Sequence, residues 1–497
     1  MLTCVAGSSG FISRRQLLAT AAVGAVAAGP LSGITSAALR RRRPQPVTRD
    51  LLWSWNEMIA GGGPRLTGNA AHRAYVEFLA RQLERRGLEV KRDHLSLTKW
   101  EPKDWSLTVG GTEVPLSFYF PYSGVTRPSG VTAPLAYLGV SPVTAWEAAA
   151  GKIAVVEVPS ATLPSAAFFP EQGRYPETAK SPPTLLTSPG VNDIIVGPDL
   201  AAAKKAGVRG VICVRQMISD DYAADQYSPF TTPYQDCPAV WARPSTANRL
   251  RTLALQGATA TLTMHARLVP GTPTDTLYAV LPGSDPSGEA IVVNTHTDGP
   301  NVPEENGSLG ILAIADHFRR IPRSRRRRSL IFLFATGHFQ LPQFATDLGQ
   351  AASRWIEMHP DLVERTVAAL TLEHLGCLEW LDNDAHTSYG PTGRLEPGYC
   401  FTTTETMTRT WLDSARGTSN KRTFACSPTI YVGEGQPFYE SGIATMSLIP
   451  GMTYLVAAPE NGAIDRLSPK LMNGQIKTFI NAIDALEKLD ASVIGKP

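Results

Sequence analysis

The stretch EAIVVNTHTDGPNVPEENGSLG, residues 289–310, decides how this chain is read. Its apolar run at 290–293 has the length and β-branched content of a buried strand. A polar turn follows, presenting His296, Asp298, Glu304, Glu305 and Asn306 close together. From 308 to 321 apolar residues then recur at helical spacing. Strand, loop and helix in that order form the layout in which α/β proteins place ligands, at the carboxyl ends of strands. Imidazole and carboxylate together are the donors that zinc-like ions prefer. The loop is therefore a candidate metal site.

Outward from this stretch, strands and helices alternate: strands at 276–281, 290–295, 329–335, 367–373 and 443–449, helices at 308–320, 345–358 and 470–487. Such alternation predicts a mixed, largely parallel sheet flanked by helices. Upstream, 51–58 and 70–87 read as helices, the second stopping at Gly87 before a strand begins at 88–90. Between 125 and 268 the texture changes to Pro, Gly, Ser and Thr with short strands at 151–158 and 207–214 around a helix at 200–206. Within it, 173–189 reads as a long surface loop. The distinct composition predicts a small β-rich domain inserted into the α/β fold.

Three strands of the later block end in candidate ligands. The first ends at His296 and Asp298, the second at Thr336-Gly337-His338, the third at Glu373-His374. The strand at 443–449 ends without an imidazole. If these strands are parallel, His296, Glu305, His338 and Glu373 converge on one crevice. A lone histidine at a strand end is ordinarily a hydrogen-bonded loop residue; two at one sheet edge, with carboxylates between them, favour a metal. Asp298 is placed to fix the tautomer of His296. His374 reads as packed or hydrogen-bonded, Glu304 as solvated, and His317, inside a helix, as structural.

The ends and the composition set the context. Arg14-Arg15 precede a modest Ala/Gly-rich apolar run, and 1–38 resembles a bacterial twin-arginine export signal. Its partner would be the twin-arginine translocase, and the mature protein would be periplasmic or extracellular. No later segment reaches the roughly 18 apolar residues of a membrane span, so stable membrane association after cleavage is not expected. A chain of 497 residues has room for two or three domains. Net charge is only +3, and the basic run at 323–328 lacks interleaved aromatics. It reads as a solvated connection, not a nucleic-acid patch. Cys213, Cys237, Cys377, Cys400 and Cys426 include no Cys-x-x-Cys pair, which argues against a cysteine zinc site. Export would permit disulfides, with Cys377, Cys400 and Cys426 as candidates.

Taken in order, Pro64-Arg65-Leu66-Thr67-Gly68 with its following helix, His296-Thr297-Asp298, Glu305-Asn306-Gly307-Ser308, the strand running to His338, and Glu373-His374-Leu375-Gly376 resemble the co-catalytic zinc exopeptidases of clan MH. That group includes aminopeptidases, glutamate carboxypeptidases and glutaminyl cyclases. The similarity runs over 51–120 and 275–490, which assigns 45–124 and 269–497 to a peptidase-like α/β domain. The block 125–268 is similar to a protease-associated domain, through residues 151–156, 203–212 and 238–240.

The resemblance implies a role for each position. His296 stands where the family binds its first metal, Glu305 where an Asp bridges two metals, and Glu373 where an acid completes the first site. After Gly337 the family has a Glu-Glu pair, general base then second-metal ligand; here the pair is His338-Phe339. The final histidine of the second site has no counterpart in 452–461. His296, Glu305 and Glu373 would thus make one three-ligand zinc site with an open position. The second keeps only Glu305, unless His338 reaches across. His338, His374 or Glu304 could replace the missing base, with Asp298 beside them.

The implied activity is an exported, zinc-dependent exopeptidase of aminopeptidase type that hydrolyses peptides or small amides with a metal-activated water. The alternative is a catalytically impaired pseudo-peptidase that binds a ligand or a single metal without turnover. Cyclisation of an N-terminal residue with a single zinc fits less well: the cyclases keep an acid at the position of His338 and a final histidine.

Overall fold

The computed structural model describes residues 45–160, 163–186 and 188–497; the expected export signal at 1–38 lies outside the described residues. At the centre, strands Ser329–Ala335, Ala290–His296, Thr366–Leu372 and Ala444–Leu448 lie side by side, all parallel. Their continuous apolar runs are explained by cover on both faces. Because side chains alternate along a strand, Ile291, Val293, Leu370 and Phe332 face one way, onto helices Ala70–Arg85, Gly307–Phe318 and Pro469–Leu486. Val292, Ile331, Leu333 and Ala369 face the other, onto Trp355 and Phe438. The mixed, mostly parallel sheet between helices is the one expected from the sequence.

Strand Thr259–Leu281 carries the sheet beyond this centre. Its last residues pair with Ser329–Ala335, its first with Val131–Val140, and nearly its whole length runs antiparallel to Val90–Val109. Past Val131–Val140 come Ile153–Val158, Gly210–Arg215 and Ala239–Ala242, all parallel, then Leu116–Tyr119 antiparallel. The sheet is therefore continuous through residues 125–268. This half has apolar clusters of its own, around Trp100, Tyr119 and Tyr227 on one face and Trp241 and Val211 on the other.

Four local expectations change. Residues 171–175, expected within or beside a surface loop, form an edge strand paired with Thr423–Cys426. That partner is some 250 residues away and leaves no local signal. The helix expected at 345–358 is regular only from Ala352 to Met358. Gly349 adopts φ +89°, and the Glu434 carboxylate receives the Ala351 and Ala352 N–H groups, so the helix starts there.

The basic run is a solvated connection only in part: Arg323 and Arg325 are exposed, but Arg326 and Arg328 are buried. Arg326 donates to the carbonyls of Phe318 and Pro282. Arg328 is fully buried, donating to the Leu486 carbonyl and pairing with Glu289. Guanidinium forks here satisfy carbonyls that would otherwise be stranded. Finally, Cys377, Cys400 and Cys426 are buried and free, as are Cys213 and Cys237. Cys400 and Cys426 sit on adjacent strands, but Cys400 is in register with Ala425 and so faces the opposite side of the sheet. No described helix is long and apolar enough to cross a membrane.

Candidate metal site

Parallel strands deliver the site residues to one edge. His296 closes its strand fully buried, and its Nδ1–H donates to the backbone carbonyl of Asp298 at 2.8 Å. That bond fixes the tautomer and leaves Nε2 without a hydrogen-bond partner. Asp298 thus orients His296 through its main chain. Its carboxylate has other work, accepting from Thr67 Oγ1 at 2.5 Å and from the N–H groups of Gly337 and Phe339 at 3.1 and 2.9 Å. These bonds clamp the turn that carries His338. Gly337 makes that turn with φ +109°, a conformation costly for any residue with a Cβ.

His338 stacks on His296, ring centroids 4.1 Å apart. Its Nδ1 lies 2.7 Å from Glu434 Oε1. Burial would lower its pKa, but the Glu434 hydrogen bond and the charges of Glu434, Glu373 and Glu304 prevail and push it up to about 9. Glu434 is fully buried and also binds the backbone through the Ala351 and Ala352 N–H groups. Its own N–H donates to Glu373 Oε1 at 2.7 Å.

His374 is held at φ +55° with Nδ1 against the Pro450 carbonyl at 3.0 Å, and its Nε2 lies 3.1 Å from Glu304 Oε2. Burial opposes both charges, yet each stabilises the other: the His374 pKa is raised and that of Glu304 lowered. Glu304 is buried, not solvated.

The structure brings together His296, Glu373 and His374 as one metal-capable group, and His296, Glu304 and His338 as a second, each with donor atoms within 4.8 Å of one another. Glu305 belongs to neither group. Its carboxylate forms a buried ion pair with Arg65, whose guanidinium also donates to the carbonyls of Ile59 and Gly63. Phe339 is buried against Phe230, centroids 4.9 Å apart, so its position contributes an apolar contact where a ligand was missing. The segment 452–457 is tied down by Asn301, whose Nδ2 donates to the carbonyls of Tyr454, Leu455 and Ala457.

Two site residues escaped sequence reasoning. Glu434 lies between Gly433 and Gly435, and those glycines were its only signal: a Cβ at Gly433 would crowd Glu373 Oε2 at 2.7 Å. Arg65 stood inside a noted segment but had no assigned partner.

The donor set suits zinc. His296 Nε2, His374 Nε2 and Glu304 Oε2 are buried without hydrogen bonds; the last two, though close, are not aligned for one. Buried polar atoms left in this state are costly, and a cation held with Glu373 would satisfy the two imidazoles, or one held with His338 would satisfy His296 and Glu304. Beside the cluster lies a cavity of about 340 Å³ reached by Glu304, His338, Glu373 and His374.

No family model matches the sequence, and no curated protein matches it. Solved structures do. A zinc aminopeptidase from Bacillus subtilis superposes with a TM-score of 0.58 at 16% identity, covering 90% of this chain and 98% of that one. A peptidase M28 precursor from Shewanella amazonensis SB2B gives 0.60 at 13% identity over 89% of this chain and 98% of that one. An aminopeptidase from Aneurinibacillus sp. strain AM-1 gives 0.56 at 13% identity over 89% and 94%. At such identities the likeness is one of fold, and the fold of this chain is that of zinc aminopeptidases.

Proposed function

We propose that the protein is a zinc-dependent hydrolase of peptides or small amides, of the aminopeptidase type of exopeptidase. The observation that carries this reading is the convergence of buried, unpartnered imidazole and carboxylate atoms at the carboxyl ends of parallel strands, on the floor of a cavity. His296 with Glu373 and His374 would hold one zinc; Glu304 and His338 form the competing set with His296. When bound, the metal supplies Lewis-acid polarisation of a carbonyl and of water. The chain supplies the rest. The Asp298 carbonyl orients His296, the Asp298 carboxylate holds the turn of His338, and Glu434 occupies His338 Nδ1. His338 then has only Nε2 left to take or give a proton at the cavity floor. His374 would be committed to that zinc, so His338 is the better placed group to exchange a proton.

One observation favours a second reading, a pseudo-peptidase that binds ligand or a single metal without turnover. Arg65 already compensates Glu305, Phe339 cannot coordinate, and the two metal-capable groups share His296, so a second metal would compete with the first for that ligand. Elemental analysis and turnover on aminoacyl and dipeptide substrates separate the two. The hydrolase reading expects close to one zinc per chain, a loss of zinc in His296→Ala, and metal-dependent release of amino acid. Zinc without release selects the second reading. Zinc bound at wild-type level by His296→Ala removes the site from both.

We also propose export through the twin-arginine pathway by residues 1–38 and a protease-associated-like identity for 125–268. Fused to a reporter, residues 1–38 should direct export that Arg14→Lys with Arg15→Lys abolishes; export unchanged by the pair would exclude the pathway.

A further inference from the structure

The second half of the sheet has a carboxyl edge of its own. Strands Ile153–Val158, Gly210–Arg215 and Ala239–Ala242 run parallel there, and Arg215 closes the middle one. Its side chain is 2% exposed, and the guanidinium lies over the Trp241 ring, 3.8 Å from the centroid. Nε and Nη2 bond the buried carboxylate of Asp193, whereas Nη1 is buried and makes no hydrogen bond. Arg215 lines a narrow crevice of about 10 Å³ together with Ser160, Ser188 and Asn192. Helix Pro189–Val196 begins at this crevice. Ser188 stands at its N-cap without capping a backbone N–H, and Ser188 Oγ is also buried without a hydrogen bond. The first turn is fixed in place: Asn192 Nδ2 donates to the Pro159 carbonyl at 2.8 Å, and Ser228 Oγ to the Pro189 carbonyl at 3.0 Å.

We propose that this crevice is a monatomic-anion site, which takes chloride between Arg215 Nη1, Ser188 Oγ and the first turn of helix Pro189–Val196. A guanidinium nitrogen left buried and unpaired is costly, and Asp193 does not serve it because its contacts are on the Nε and Nη2 side. The helix adds the positive end of its dipole and N–H groups that no helical carbonyl receives. Size decides the class of anion. The crevice is at the threshold for a single water-sized sphere, too small for phosphate, sulfate or a carboxylate with its carbon chain. Water fits the same space, yet the converging groups are donors, and an anion accepts from all of them at once. The consequence reaches the large cavity. Ser188 and Asn192 line both spaces, and Ile194 and Ile195 of the same helix stand in the cavity wall. Bound chloride would hold that wall from behind, through the first turn of the helix.

The test uses the full chain at constant ionic strength, with chloride and bromide as probes. In about 0.2 M sodium chloride the midpoint of thermal unfolding should lie about 1–2 °C above that in sodium gluconate, the linkage expected for a weak ligand bound only by the folded state. Crystals soaked in sodium bromide should show an anomalous peak beside Arg215 Nη1. Ser188→Val fills the crevice with methyl groups and should abolish both signals. Arg215→Met combined with Asp193→Leu removes both charges of the pair together and should abolish them too, so a folding defect in one variant leaves the other to decide. Equal midpoints in chloride and gluconate, no bromide beside Arg215, or a response that survives in either variant overturns the proposal. Neither readout needs turnover, so failure of the hydrolase reading would leave the anion site untouched.

Discussion

Arg65→Met is expected to lower folding stability by about 3–5 kcal/mol, the usual cost of breaking a buried ion pair from one side. Arg65 is 2% exposed and Glu305 fully buried, so neither charge has water to fall back on. Burial already presses on the guanidinium, whose pKa falls to about 10. The same side chain donates to the Ile59 and Gly63 carbonyls, and its backbone bridges to Gly299, so it ties the first helix to the site loop. Removing it leaves a carboxylate in a closed interior. Combining Arg65→Met with Glu305→Leu should recover more than half of the loss, because an apolar pair of similar volume carries no desolvation penalty. Urea denaturation of the two variants checks both statements. A loss below about 0.5 kcal/mol for Arg65→Met, the range of ordinary surface changes, would show that the ion pair does not form and that Glu305 is free to bind a cation.

Glu434→Ala is the second large effect. Its carboxylate serves three donors at once: His338 Nδ1–H and the N–H groups of Ala351 and Ala352. Hydrogen bonds to a charged group contribute roughly 1.5–3 kcal/mol each, and donors left buried and unpaired add their own cost. A loss of about 3–5 kcal/mol follows, within the range for an orphaned buried charge. Glu434→Gln keeps the shape and one acceptor oxygen, and should retain most of that stability. Its effect on chemistry should be larger than its effect on folding. With His338 no longer held by a carboxylate, turnover should fall by ~10²–10⁴-fold, the usual contribution of a positioned acid–base group. Turnover in Glu434→Gln equal to wild type would take His338 out of the reaction.

These residues also show where sequence reasoning reaches its limit. The parallel strands were legible because each is a short apolar run ending in polar residues, a pattern imposed by burial on both faces. His296, His338 and Glu373 were legible as site residues because strand ends share one edge of a parallel sheet. Glu305 was assigned to the metal and Glu304 to solvent, and both assignments are overturned: Glu304 is buried in the cluster and Glu305 is paired with Arg65. They are adjacent in a one-turn helix, and only the positions of His374 and Arg65 turn one toward the cluster and the other away from it. The arginine run misled for a related reason: charge density suggests solvent, yet Arg328 is buried against the Leu486 carbonyl of a distant helix.

The stretch at 289–310, with the strands and helices that alternate after it, determined the α/β class and, given a largely parallel sheet, the edge on which a metal could be held. Those follow from local periodicity, which the chain carries in every strand and helix. Which carboxylate faces that metal, which histidine is held by Glu434, and which apolar side chains close the cavity were decided only by tertiary structure. Each depends on a partner far away in the chain, and a hydrogen bond or ion pair leaves no trace in sequence until folding brings its two ends together.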